Sequence, residues 1–232
     1  MTDKVVGIIG GMGPEATIDV FSKIVAATPS RKDQDHLRII VDSNPKVPSR
    51  YKYIMGEGES PLPYLIESAK KLEGYGADFL LIPCNAAHHF YDQIQEKVGI
   101  PILHIAEEAW RYTESIRPGP QRIGLMASGS TVKSGVYQRV FRGSEIELIL
   151  PTDQNQQRVS EGIYAFKKGM PTKEIERTLM SVVRSLIKMG AQAILLGCTE
   201  LPVVLKGAKS SVRLIDANDV LARAAVREAK RS

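Results

Sequence analysis

The sequence predicts an α/β protein of two pseudo-symmetric domains, each a four-stranded parallel sheet flanked by helices. Three observations lead there. Short β-branched or apolar runs alternate with amphipathic stretches in two sets of four, the pattern of parallel strands joined by crossover helices. The run Phe79-Leu80-Leu81-Ile82 shows no polar–apolar alternation, which suits a central parallel strand buried on both faces. Finally, segment 76–89, GADFLLIPCNAAHH, is nearly rewritten at 190–202, GAQAILLGCTELP. Each version delivers one of the chain's two cysteines, Cys84 or Cys198, from an apolar strand into a polar turn.

Composition narrows the class. A chain of 232 residues can bury one large core or two small ones. With 43% apolar and 25% charged residues it reads as ordinary soluble α/β, and no apolar run approaches the roughly 20 residues of a membrane span. The start, MTDKVVGIIGG, lacks the basic region and cleavage site of a signal peptide. Two cysteines after separate buried strands argue against a structural disulfide. A cytoplasmic protein is expected. The net charge of +5 would admit a polyanion, but the basic residues are dispersed and aromatics are 6%, so neither nucleic acid nor membrane is expected as a partner.

In chain order, strand 4–9 runs into Gly10-Gly11-Met12-Gly13-Pro14-Glu15-Ala16-Thr17 and a helix ending near Thr28, with Pro14 suited to the first helical turn. Gly11-x-Gly13-x-x-Ala16 matches the dinucleotide fingerprint in its alanine form, and Asp42 closes strand 37–41 about where a ribose-binding acid would sit. The same turn reads equally as one that holds any small anion on its amides. In loop 42–50, Pro45 and Pro48 stiffen the chain and fix the direction of Arg50. A helix from Pro61 to about Tyr75, closed by Gly74 and Gly76, leads to the first cysteine strand. Helix 88–97, strand 100–105 and helix 106–116 follow, and Arg117-Pro118-Gly119-Pro120 is a linker-like break.

The second half repeats the plan. Strand 122–127 answers the first strand, and Ser128-Gly129-Ser130-Thr131 replaces the glycine turn with hydroxyl donors. Strand 145–150, helices 153–168 and 172–189, the second cysteine strand, strand 212–215 and helix 218–230 complete it. The expected domains are 1–103 with 217–232, and 104–216.

Ligands of such sheets bind beyond the carboxyl ends of the strands, so the expected active site is a cleft between the domains with one thiol on each wall. Backbone amides and a helix start after each cysteine would favour thiolate over thiol. A free cysteine is also a common core residue, a reading weakened by two cysteines in equivalent positions. A nucleophilic cysteine wants a histidine base; His88 and His89 lie near Cys84, but nothing comparable flanks Cys198. Zinc held by Cys84, His88, His89 and Cys198 is disfavoured, because adjacent helical histidines diverge by about 100°. Two acid/base groups on opposite faces of one carbon suit inversion, in which one thiolate removes a proton and the opposing thiol supplies another. The carbanion needs its carboxylate held by donors. The amides after each cysteine, the glycine turn and residues 128–131 are candidates.

Taken together, the GGMGPEAT turn, the Pro-Cys-Asn segment with His88 and the Gly-Cys-Thr-Glu segment resemble the aspartate racemases of the cofactor-independent aspartate/glutamate racemase superfamily, along the whole chain. The resemblance implies an isomerase interconverting L- and D-aspartate in an interdomain site, as a homodimer, with no pyridoxal phosphate or metal. By position, Cys84 and Cys198 would be the catalytic pair, and Gly11, Met12, Asn85, Ala86, Ser128, Thr131, Thr199 and Glu200 would surround the substrate. Arg50, following an Asn-Pro-x-x-Pro segment, would bind the distal carboxylate, assisted by Lys167 or its neighbour Lys168. Two departures bear on substrate preference. Ala86 stands where threonine is usual, and the family's Ala-Thr-Thr-Gly-Thr turn reads Ala127-Ser128-Gly129-Ser130-Thr131. Racemisation of glutamate or of a broader set of amino acids is therefore an alternative. Outside catalysis, the alternatives are binding of an acidic amino acid or of a dinucleotide.

Overall fold

A computed structural model describes residues 3–231. The chain divides into two compact units, Met1–Glu108 with Asn218–Ser232, and Ala109–Ala217. The expected divisions after 103 and 216 thus move to 108 and 217, the first of them inside a continuous helix.

The first unit opens with β1 (Val6–Gly10), α1 (Pro14–Ala27), β2 (Ile39–Ser43), α2 (Arg50–Ile54), α3 (Leu62–Gly74) and β3 (Phe79–Leu81). A 3₁₀ turn (Asn85–Phe90), α4 (Tyr91–Gln95), β4 (Ile102–Leu103) and α5 (Ile105–Ser115) follow. Its strands are all parallel in the order β2-β1-β3-β4, and β1 and β3, at the centre, are wholly buried. Proline at the first position and Glu15 in the first turn suit the start of α1, whose inner face is Ala16, Thr17, Val20 and Ile24. Strand β4 is shorter than expected because the Gln95 side chain replaces ladder partners: Nε2 donates to the Ile100 carbonyl (3.0 Å) and Oε1 accepts from the Ile102 amide (2.8 Å).

The second unit contains β5 (Arg122–Ala127), α6 (Gly129–Ser134), α7 (Val136–Phe141), β6 (Glu147–Ile149), α8 (Asp153–Lys167) and α9 (Thr172–Lys188), then β7 (Ala193–Gly197), α10 (Glu200–Val204) and β8 (Arg213–Asp216). Its order, β6-β5-β7-β8, is that of the first sheet, and every strand is again parallel. Its core joins α8 and α9 to the sheet through Val159, Ile163, Leu179, Val183, Leu186, Ile194 and Leu196. Helix α11 (Ala217–Ala229) returns the chain to the first unit, where Glu228 pairs with Lys4 at 2.6 Å and Arg227 with the buried Glu108 at 2.5 Å.

The rewritten segments now have a physical reason. Gly76 (φ 89°) ends α3 in a left-handed cap: its amide reaches the Glu73 carbonyl and the Ala77 amide the Leu72 carbonyl, the paired bonds of a Schellman motif. Gly190 (φ 98°) ends α9 identically, bonding Ile187, while Ala191 bonds Leu186. Each cap turns the chain directly into the strand that carries the cysteine.

A second shared device lies in the central strands. A Cβ on Gly7 would sit 2.5 Å from Leu80 Cδ2, and one on Gly124 2.7 Å from Ile194 Cδ1 and 3.1 Å from Leu186 Cβ. Leu80, Ile194 and Leu186 are fully buried and have little room to yield. Gly7→Ala and Gly124→Ala should each destabilise the protein by about 1–3 kcal/mol, read from urea unfolding. If neither moved the transition, this close packing would not be limiting.

Candidate active site

Cys84 lies just beyond β3 and caps the 3₁₀ turn. Its amide donates to the Ile82 carbonyl (2.7 Å), and its own carbonyl accepts the Ala87 amide (3.1 Å). His88 adds a further hold on that carbonyl, with Nδ1 3.0 Å from it. The other ring nitrogen, Nε2, accepts the Ile105 amide at 3.1 Å. A backbone amide can only donate, so the proton of the neutral ring sits on Nδ1. Burial pushes the His88 pKa down to about 3, with His104 adding to the effect. His88 is therefore a neutral scaffold group rather than the base expected of a cysteine hydrolase, and with both nitrogens engaged it has no lone pair for zinc. His89 is exposed and packs edge-on against Phe90. Asn85 and Ala86 are buried in the same turn, and Cys84, Ala86 and Met12 share one apolar cluster.

The glycine turn does not behave as a dinucleotide cradle. The Gly11 amide donates to Thr17 Oγ1 (2.8 Å), which in turn donates to the Gly13 carbonyl (3.3 Å), and Pro14 has no N–H. A Cβ on Gly11 (φ 88°) would lie 2.3 Å from the Asn44 carbonyl carbon. The close approach that glycine permits is thus to the chain's own 44–50 loop. That loop aims Arg50 back at the turn: Nη1 donates to the Pro48 (3.0 Å) and Val47 (3.2 Å) carbonyls, and Nη2 to Met12 (3.3 Å). Its buried Nε has no partner. The segment expected to be loop up to residue 50 in fact opens α2 at Arg50, capped by Ser49, whose hydroxyl accepts the Lys52 amide.

In the second unit Cys198 directly follows β7. Its Sγ donates to Glu200 Oε2 (2.9 Å), Thr199 Oγ1 donates to the same oxygen (3.2 Å), and Lys167 Nζ lies 2.8 Å from Glu200 Oε1. Lys168 instead lies over the Tyr164 ring at 4.5 Å. The expected preference for thiolate is reversed here. Cys198 is part-exposed by area but closely surrounded by protein, and this desolvation raises its thiol pKa well above the ordinary value. Glu200 adds to the rise, outweighing Lys167 and the Glu200 amide, which both act to lower it. Burial also pushes the Glu200 carboxyl upward, but Lys167 and the hydrogen bonds from Cys198 and Lys167 hold it below its usual range. The group beside Cys198 is thus a carboxylate that accepts the hydrogen bond of the protonated thiol.

The hydroxyl turn is knitted together. Ser128 caps α6 by accepting the Thr131 amide (3.3 Å), and its Oγ lies 3.1 Å from Ser130 Oγ and 3.0 Å from Thr131 Oγ1. Register places it beside the cysteine, since Ala127 pairs with Gly197 across β5 and β7. One neighbour escaped sequence reasoning. Tyr137, fully buried on α7, stacks under Gly197, and burial raises its phenol pKa, with Asp216 and Cys198 adding to the rise. Nothing local in residues 136–141 tied Tyr137 to a strand sixty residues on.

In the first unit, the fold brings Met12, Arg50, Cys84 and Ala86 into one region. In the second it joins Lys167, Cys198, Thr199 and Glu200 by direct contacts and sets Ser128 and Thr131 one strand away. Among the described residues, no group of three or more His, Cys, Asp or Glu is placed to hold a metal ion. Nor is any described helix long and apolar enough to cross a membrane.

Known proteins share this fold. Residues 9–225 match the family described as Asp/Glu/Hydantoin racemase. Over 228 residues the chain is 31% identical to the broad specificity amino-acid racemase RacX of Bacillus subtilis (strain 168), covering 95% of this chain and 96% of RacX. The structure of Picrophilus torridus aspartate racemase superposes with a TM-score of 0.85 at 31% identity, covering 99% of this chain and 95% of that one. Glutamate racemase isoform RacE1 from Bacillus anthracis shares the fold, with a TM-score of 0.67 at 17% identity over 95% of this chain and 79% of its own. Both sheets and both cysteine turns fall within these matches, and the chain belongs to the Asp/Glu/hydantoin racemase family.

Proposed function

We propose that the protein racemises an acidic amino acid, aspartate before others, with Cys84 and Cys198 serving opposite faces of the α-carbon and no pyridoxal phosphate or metal taking part. The observation that carries this reading is positional. In two sheets of identical strand order, the same inner strand, β3 or β7, ends in a cysteine followed by a polar turn. The mechanism requires both thiols to reach one α-carbon. The working form proposed is a cytoplasmic homodimer.

Protons balance as follows. A thiolate takes the α-proton and leaves a carbanion, and the opposing thiol returns a proton to the other face, so the cysteines exchange protonation states each turnover. Cys198 rests as the acid. That form is ready to protonate a carbanion made by Cys84, which by resemblance is the direction from D- to L-isomer. For the reverse, Cys198 must first give up its proton, which its Sγ directs at Glu200. Glu200 is thus better read as the partner of Cys198 than as a substrate ligand, while Gly11, Met12, Asn85, Ser128, Thr131, Thr199 and Lys167 remain proposed neighbours of the amino acid. A broader substrate range is the second reading, favoured by the buried Ala86, which offers no hydroxyl, and by full-length similarity to RacX.

Arg50 is proposed to read the distal carboxylate. Backbone carbonyls hold its fork without neutralising its positive charge. Arg50→Ala should weaken use of aspartate about ten- to hundredfold in kcat/KM, the worth of a charged hydrogen bond, and Arg50→Lys should be impaired as well. Unchanged kinetics in Arg50→Ala would assign that carboxylate to another group.

The division of labour is tested by α-proton exchange in deuterated water beside chiral chromatography. Cys84→Ala should exchange L-aspartate slowly without inverting it, and Cys198→Ala should do so for D-aspartate, with inversion lower by about 10²–10⁴ in both. Near-parental inversion in either variant, or both exchanging the same enantiomer, would falsify the two-base reading.

A further inference from the structure

The two cysteines are held in different ways. Cys198 is aimed by its own sulfur, through the bond from Sγ to Glu200. Among the described residues the Cys84 sulfur has no hydrogen-bond partner, so its direction is set by its backbone. That backbone is clamped at the amide by Ile82 and at the carbonyl by Ala87 and His88. Of the clamping groups, only His88 acts through a side chain.

His88 is 1% exposed, and its ring is wedged edge-on against His104 (centroids 5.0 Å apart) and stacked at 6.3 Å on Tyr91. Its Nε2 also accepts the amide of Ile105, the first residue of α5, a donor that no carbonyl of that helix can satisfy. One ring therefore connects the carbonyl of Cys84 to the start of α5, and the one-proton tautomer fits only in that orientation.

We propose that His88 is a positioning residue for Cys84, fixing the direction of the thiol by holding the Cys84 carbonyl against the first turn of α5. This rests on the proposed role of Cys84 as one of the two bases. Removing the Nδ1 donor frees the carbonyl and lets the turn rotate; a misplacement of about 1 Å costs on the order of a hundredfold in rate. The two nitrogens can be replaced separately. Asparagine keeps a donor near the place of Nδ1, and glutamine keeps an acceptor near that of Nε2.

The test places His88→Asn and His88→Gln in each single-cysteine background and measures α-proton exchange of aspartate in deuterated water. With Cys84 as the sole thiol (Cys198→Ala), His88→Gln should lower exchange of D-aspartate about ten- to hundredfold, and His88→Asn by no more than about threefold. With Cys198 as the sole thiol (Cys84→Ala), neither should change exchange of L-aspartate by more than about threefold. A merely structural histidine would lower both exchanges together, in step with melting temperature, and that result overturns the proposal. Exchange by neither single-cysteine protein would remove the two-base reading itself, and the proposal with it. A readout independent of activity is the ¹⁵N spectrum of the histidine rings. One ring should remain locked as the neutral Nδ1–H tautomer from pH 5 to 8, and its absence would overturn the clamp.

Discussion

A parallel strand sealed on both faces can meet a ligand only at its ends, and the rest of this structure follows from that constraint. In each unit, β1 with β3 or β5 with β7 forms the buried centre of a four-stranded sheet. Their amides and carbonyls are used up in the ladder, their side chains in packing. Reactive groups are left the carboxyl end, and there the chain sets its two cysteines. The helix before each such strand must stop abruptly, which the glycine caps at 76 and 190 accomplish. The central strand beside it must come close, which Gly7 and Gly124 permit.

Equivalent positions do not make equivalent electrostatics. Cys84 sits among apolar contacts, backbone bonds and an uncharged histidine, with Arg50 in the same region. Cys198 sits against a carboxylate that a lysine keeps ionised. Burial and a neighbouring anion both penalise thiolate, and the five-residue helix α10 has too little dipole to offset them. The two half-chains thus share a backbone plan while surrounding their thiols differently.

The glycine turn shows how a motif can mislead when read without its surroundings. Gly11-x-Gly13-x-x-Ala16 has the spacing of a pyrophosphate cradle, and the strand–turn–helix context is present too. What differs is where the freed space and the freed amide go. Thr17 takes the amide and Asn44 fills the space, so the turn supports the Arg50 loop rather than a phosphate.

Fold class was legible in the sequence because it depends on local chemistry. Uninterrupted apolar runs mark buried parallel strands, and glycine marks helix ends that no other residue caps as cheaply. The repetition of both around Cys84 and Cys198 disclosed the two-sheet plan and the candidate cysteines. Family membership was legible for the same reason, as its motifs are contiguous. Short helices such as α2, α7 and α10 and the exact division of α5 between units escaped, because a turn or two of helix is decided by caps and packing rather than by periodicity. Which lysine meets Glu200, which nitrogen of His88 bears the proton, and why Cys198 rests as a thiol were decided only by tertiary structure. Each depends on residues far apart in sequence whose charges and lone pairs interact over a few ångströms, at distances no spacing rule encodes.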